Sequence, residues 1–169
     1  MAIEKSDLVL TYQYDAHPAK VWKAWTHKNQ IKKWWGPEGF AVTHIEIDFR
    51  VGGKYLYCIH RANVHGGKGW DFCSGGVFRD IAAPDSMRQG KIVMIDSFTD
   101  EKGNKVPASY YGRSENSPLE MMIVVTFKEE DGDTKLTLQC PDVGGMSSAD
   151  LSKMKEGWEQ SLRKLEKVL

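Results

Sequence analysis

The last 22 residues constrain the fold more than any other part of this chain. From Ser148 to Leu169, the residues Leu151, Met154, Trp158, Leu162, Leu165 and Leu169 recur at spacings of three or four. That spacing places them on one stripe of an α-helix. Either Ser147 or Ser148 supplies an N-cap, and Asp150 adds negative charge near the positive end of the helix. Gly157 interrupts the helix at a cost of about 1 kcal/mol relative to Ala. A close approach by sheet or ligand would explain it, and so would simple tolerance. One long stripe of this kind must be buried against another element, and the rest of the chain offers mainly strands.

The first strand signal is Leu8 to Tyr14, rich in β-branched and aromatic residues. Asp15-Ala16-His17-Pro18 reads as a helix start, with Asp15 as cap, His17 serving that start and Pro18 in the first turn. Lys20 to Trp25 and Lys28 to Trp35 form two short helical pieces, stopped by Gly36-Pro37-Glu38-Gly39. From Phe40 the period becomes two: His44, Glu46, Asp48 and Arg50 alternate with Ile45, Ile47, Phe49 and Val51. Further strands are expected at Lys54 to His60, at Trp70 to Ile81 with a bulge near Gly75-Gly76, and at Lys91 to Phe98. Glu120 to Phe127 and Thr134 to Cys140 make a hairpin around Glu130-Asp131-Gly132-Asp133. Short turns between strands imply an antiparallel sheet. The class is therefore α+β: a curved antiparallel sheet of about seven strands around one long C-terminal helix, with two short helices after the first strand. The long polar segment Thr99 to Pro118 is a candidate lid.

Composition fits one domain spanning 1–169. The chain carries 23 Lys+Arg and 23 Asp+Glu, and 41% of its residues are hydrophobic. This is too apolar and too balanced for a disordered chain. The balance also argues against a dedicated nucleic-acid binder. No apolar run approaches the ~20 residues of a membrane span, and Met1 to Ser6 has no apolar core of a secretory leader. Cys58, Cys73 and Cys140 are odd in number and form no C-x-x-C pair. They read as unpaired, catalytically silent thiols in a reducing compartment, which points to the cytoplasm.

A set of short motifs carries a resemblance. These are Asp15-Ala16-x-Pro18 with Val21-Trp22-x-Ala24-Trp25-Thr26, then Trp34-Trp35-Gly36-Pro37 and Asp48-Phe49-Arg50-Val51-Gly52-Gly53. Gly76-Val77-Phe78-Arg79-Asp80-Ile81 with Pro84, Thr126-Phe127, Thr134-x-Leu136-Thr137-Leu138 and Gly157-Trp158 complete it. In order and spacing the chain resembles the family similar to the C-terminal domain of the activator of heat shock protein 90 ATPase, within the SRPBCC (START/polyketide cyclase/birch-pollen-allergen-like) superfamily. The resemblance implies a helix-grip fold with a cavity between sheet and helix. It implies no single activity, because the superfamily holds carriers, sensors, cyclases and chaperone regulators.

The register of that family turns Tyr55, Tyr57 and Ile59 inward, together with Trp70, Phe72, Ser74 and Phe78, while Arg79 points out. The expected ligand-binding set is Trp34 and Trp35 near one mouth, Tyr55, Tyr57, Trp70, Phe72 and Phe78 on the sheet, and Met154 and Trp158 on the helix. The same side chains would also serve a solid core, and the resemblance favours the cavity. The polar groups expected inside are the Tyr55 and Tyr57 hydroxyls and Ser74.

No catalytic, metal or cofactor set stands out. His44, Glu46 and Asp48 share a strand face but read as its wet side, with Asp48 paired to Arg50 or a neighbour. His60 and His65 flank a turn without a third ligand. No G-x-S-x-G occurs, and Gly66-Gly67-Lys68-Gly69 lacks the P-loop spacing. Lys20, Lys23, Lys28, Lys32 and Lys33 form a basic segment interleaved with Trp22, Trp25, Trp34 and Trp35, read as a solvated face over inward-packing tryptophans. The expected partner is a hydrophobic small molecule, bound without catalysis. The alternatives are a chaperone or other protein partner, a homodimer, or an enzyme of the cyclase or hydrolase kind.

Overall fold

In the computed structural model, which describes residues 7–169, the elements follow the expected order. Strand β1 (Leu8–Tyr14) leads into helices α1 (Pro18–Thr26) and α2 (Lys28–Ile31). Strands β2 (Ala41–Ile47), β3 (Lys54–Arg61), β4 (Trp70–Ala82), β5 (Gly90–Thr99), β6 (Met121–Glu130) and β7 (Asp133–Cys140) follow, then helix α3 (Ser148–Val168). The reading of residues 1–6 as lacking an apolar leader lies outside the described residues. Among the described residues, no helix is long and apolar enough to cross a membrane.

The sheet order is β1-β7-β6-β5-β4-β3-β2, antiparallel at every pairing. Strands β2 to β7 form a meander: turns place successive antiparallel strands side by side, and the longer 100–120 segment joins β5 to β6. Strand β1 returns to the far edge beside β7. The two short helices therefore carry the chain from one edge of the sheet to the other. The β6–β7 turn shows the local chemistry. Asp131 and Gly132 both have positive φ, 53° and 88°, between the paired Glu130 and Asp133. A two-residue hairpin with that geometry follows the right-handed twist of its strands, and Asp-Gly suits it.

One face of the sheet is the core face. Tyr57, Phe78, Met94, Val125, Phe127, Leu136 and Leu138 are buried on it, and Leu162 and Leu165 of α3 close against them with no exposed surface. Tyr14 fixes the helix to β1 by donating its hydroxyl to the Leu162 carbonyl at 2.8 Å. Ser147 is the N-cap, accepting from the Asp150 amide at 3.1 Å.

Three local expectations need correction. The cap of α1 is His17, whose Nδ1 accepts from the Ala19 amide, rather than Asp15. The second short helix ends at Ile31, and Trp34 and Trp35 lie in the turn that follows. The bulge in β4 falls between Phe78 and Asp80, not at Gly75-Gly76. The extra residue, Arg79, reverses the alternation, so Ile81 faces the core beyond it. The tight spot at Gly76 is steric instead: a Cβ there would clash with the Ile95 carbonyl oxygen.

The expectation of three free thiols holds only for Cys140, which is buried. Cys58 and Cys73 are joined by a disulfide across β3 and β4, with Cα atoms 4.1 Å apart. The two residues are direct partners in the β3–β4 register. The Cys73 amide donates to Tyr111, and the Cys58 carbonyl accepts from Thr43, so both backbones turn their polar groups away from each other. Such non-hydrogen-bonded pairs bring side chains closest. The bridge lies on the outer face of the sheet beside Leu56. The case for a reducing compartment drew on free thiols and loses that support.

Candidate functional site

Between the core face and α3 the packing opens into a cavity of ≈ 270 Å³. The strands bring Tyr57, Phe72, Ser74, Asp96, Phe98 and Ile123 to its floor. Helix α3 supplies Met154, Gly157, Trp158 and Ser161 from above. Trp35, Pro37, Phe40, Arg113, Ser117, Leu119 and Met146 also line it. The opening arises because β5 and β6 pair only as far as Asp96 and Met121. Beyond that pair, β5 stays with β4 while the chain detours through residues 100–120.

Five of the nine expected binding residues line this cavity: Trp35, Tyr57, Phe72, Met154 and Trp158. The other four are placed elsewhere. Trp34 is wholly buried below the site, its Nε1 donating to the Ala24 carbonyl at 2.9 Å. Phe78 packs in the core against Phe49 and Tyr55. Tyr55 lies behind the lining, its ring 5.0 Å from that of Tyr57. Trp70 is 50% exposed at the start of β4, with the Arg61 guanidinium 5.8 Å from its ring. Its alternation is inward, but the strand end carries it past the core.

The aromatic wall is braced on several sides. Trp35 meets Tyr57 at 4.8 Å and Trp158 at 5.4 Å, both edge to face. Trp25 stacks behind Trp158 at 6.2 Å. The loop carrying Trp35 is held from α3 by Lys164, whose Nζ donates to the carbonyls of Gly36, Pro37 and Phe40. Burial lowers the affinity of Lys164 for its proton. A Cβ added at Gly157 would meet Pro37 Cγ at an ordinary 3.5 Å, so tolerance rather than an obligatory close approach accounts for the glycine.

The Thr99–Pro118 segment is tied down at several points. The Tyr111 hydroxyl donates to the Thr99 carbonyl and accepts from the Cys73 amide. Asp150, in the first turn of α3, accepts from the Ser114 amide and the Ser117 hydroxyl, each at 2.9 Å. Those hydrogen bonds hold its carboxyl below the usual carboxylate range.

The polar group that sequence reading missed is Asp96. Its Oδ1 accepts a 2.6 Å hydrogen bond from the Tyr55 hydroxyl. Burial pushes its carboxyl up to about 7, against the opposing pull of that hydrogen bond. Burial likewise raises Tyr55, Tyr57 and Cys140, the last to about 12, and the Asp96 charge adds to each. A signal was present in the sequence. Ile92, Met94, Asp96 and Phe98 alternate along β5, leaving one acid on an otherwise apolar inward face.

The wet face of β2 and the turn after it hold exposed pairs, His44 with Glu46 and Asp48 with Arg50. His60 pairs with Asp71. Among the described residues, no three His, Cys, Asp or Glu side chains gather as a metal site requires. The five lysines of the α1–α2 segment are exposed, and its tryptophans pack inward.

A seven-stranded antiparallel sheet gripping one long C-terminal helix defines a helix-grip protein. Residues 15–169 match the family described as Activator of Hsp90 ATPase homolog 1-like protein, and the chain belongs to that family, within the SRPBCC superfamily. Among curated proteins no sequence matches the chain. Solved structures share the fold. A protein from Arthrobacter aurescens is 22% identical, covering 99% of this chain and 91% of that one, with a TM-score of 0.72. One from Chromobacterium violaceum is 21% identical over 97% of both chains, with a TM-score of 0.71. The AHSA1 protein from Silicibacter pomeroyi is 20% identical over 95% of both, with a TM-score of 0.67.

Proposed function

We propose that the protein is a small-molecule-binding module that takes a compact apolar or aromatic, lipid-like ligand between α3 and the sheet. The observation that carries this reading is the ≈ 270 Å³ cavity walled by Trp35, Tyr57, Phe72, Met154 and Trp158. Its size lies just below the ~300–1,000 Å³ usual for ligand sites, and its aromatic lining matches their character. Burial of apolar ligand surface supplies the affinity, at roughly 25 cal/mol per Å² before the costs of association. Selectivity is then mainly a matter of shape.

Trp35 and Trp158 report on the site. Planar aromatic and fatty ligands should quench tryptophan fluorescence saturably. Tyr57→Ala and Trp158→Ala should weaken that binding more than a change at the exposed Lys128. A panel with no saturable response would sink the binding-module reading. An interaction role would then be the better account, tested by whether the protein stimulates the Hsp90 ATPase that the family description names.

A further inference from the structure

Asp96 is the acidic group on the cavity floor, beside Tyr57, Ser74 and the apolar Phe72, Phe98 and Ile123, and it is only half-satisfied. Oδ1 accepts from Tyr55. Among the described residues, Oδ2 accepts no hydrogen bond, and no basic side chain lies within ion-pair distance of the carboxyl. The carboxyl remains partly accessible, and it lines the cavity. An ionised carboxylate can only accept, so the group that complements it must donate. Leaving it unmatched in an apolar setting is costly.

Resting on the binding-module reading, we propose that the ligand is an aromatic or apolar molecule bearing a protonated primary or secondary amine, received by Asp96. An ammonium forms the stronger, charge-assisted bond to a carboxylate. The aromatic rings of Tyr57, Trp35, Trp158 and Phe72 line the same space, and ring faces attract a cation. The basic groups of the lining, Arg113 and Lys153, come from the segment after the one-turn helix Ala108–Tyr111 and from the first turns of α3. The Arg113 guanidinium lies 6.0 Å from the Phe72 ring. Asp150 lines the cavity with them and offsets part of their charge. The amine therefore goes to the floor, to Asp96, rather than towards these two cations.

Three probes with one indole body separate the alternatives: tryptamine, tryptophol and indoleacetic acid. Isothermal titration near pH 8 should show tryptamine binding about tenfold more tightly than tryptophol, with indoleacetic acid weakest. Asp96→Asn should remove the amine's advantage and leave tryptophol unchanged. The pH dependence of the unaltered protein checks this without a variant. Lowering the pH to about 5.5 protonates Asp96 while tryptamine stays charged, so the advantage should shrink. The groups facing Asp96 or sharing its cavity are Tyr55, Tyr57, Cys140, Arg113, Asp150 and Lys153. Burial raises the two tyrosines and the thiol away from this window, and hydrogen bonds hold Asp150 below it. Equal binding of tryptamine and tryptophol, or preference for indoleacetic acid, would overturn the amine assignment and leave the cavity reading standing. Failure of all three to bind, together with a silent fluorescence panel, would overturn both.

Discussion

Lys164 Nζ donates to the carbonyl oxygen of Gly36 at 3.1 Å, joining the last third of α3 to the loop that follows α2. The same ammonium also reaches the carbonyls of Pro37 and Phe40, so one side chain satisfies three backbone acceptors of a partly buried turn. Hydrogen bonds from a charged donor contribute about 1.5–3 kcal/mol each when broken singly, but three on one group are not additive. Lys164→Met keeps the stem and removes the donors. It should lower stability by roughly 2–3 kcal/mol in denaturant unfolding. It should also loosen Trp35 against Trp158, seen as altered tryptophan emission in the folded state. Unchanged stability would mean that water replaces the ammonium at no cost.

Within the α3 stripe, position decides the energetic role. Leu162 has no exposed surface and sits fully in the core, whereas Trp158 is half-buried and forms cavity wall. Leu162→Ala should cost about 3–5 kcal/mol, through lost burial and the void left behind. Trp158→Ala removes a larger side chain from a space already partly open, so its stability cost should be no greater. Its effect on ligand binding should be the larger of the two. Denaturant melts set beside ligand titrations separate the roles. A Trp158→Ala cost well above that of Leu162→Ala would show that the cavity is closed in solution.

The Cys58–Cys73 bridge closes a loop whose ends are 15 residues apart in sequence. Closing a loop of this length restricts the unfolded chain by about 3 kcal/mol in the chain-entropy picture. Replacing both cysteines by Ala should therefore lower stability by roughly 2–3 kcal/mol in thermal or denaturant melts. Ligand binding should survive, because the bridge packs beside Leu56 in a cluster separate from the main core, although Cys73 itself borders the cavity. Loss of binding with stability intact would show that the outer face controls the site through Tyr111.

These residues also show where sequence reading succeeds and where it stops. The α3 stripe and the alternation in β2 are legible because burial imposes a period of 3.6 or 2 on the side chains. The Cys58–Cys73 pairing is not legible in the sequence, because strand assignment without register does not say who faces whom. Once Arg61 is set against Trp70, each step back along β3 is a step forward along β4, and the two cysteines meet. Trp70 was misplaced for a related reason: alternation gives a face but not how far the core extends along a strand. Asp96 is less conspicuous than the large apolar groups around it, yet a single acid in an apolar alternation is the rarer and more informative signal.

Asp96 also sets a pH dependence of stability that can be measured without any ligand. Burial raises its carboxyl from 3.8 to about 7 in the folded protein. Between those values the folded chain holds a proton that the unfolded chain has released. Stability therefore falls as pH rises through this range, and the full cost of the buried charge is present above about pH 7. The largest cost this shift allows is about 4 kcal/mol, and water entering the cavity reduces it. Asp96→Asn keeps the size and an acceptor for Tyr55 while removing the charge. The variant should be more stable than the unaltered protein near pH 8, and the difference should shrink towards pH 4. Urea melts of both proteins across that range test the sign directly. A variant less stable at pH 8 than at pH 4 relative to the unaltered protein would mean that the Asp96 carboxylate is stabilised in the empty cavity, by solvent or by Tyr55, beyond what burial costs it.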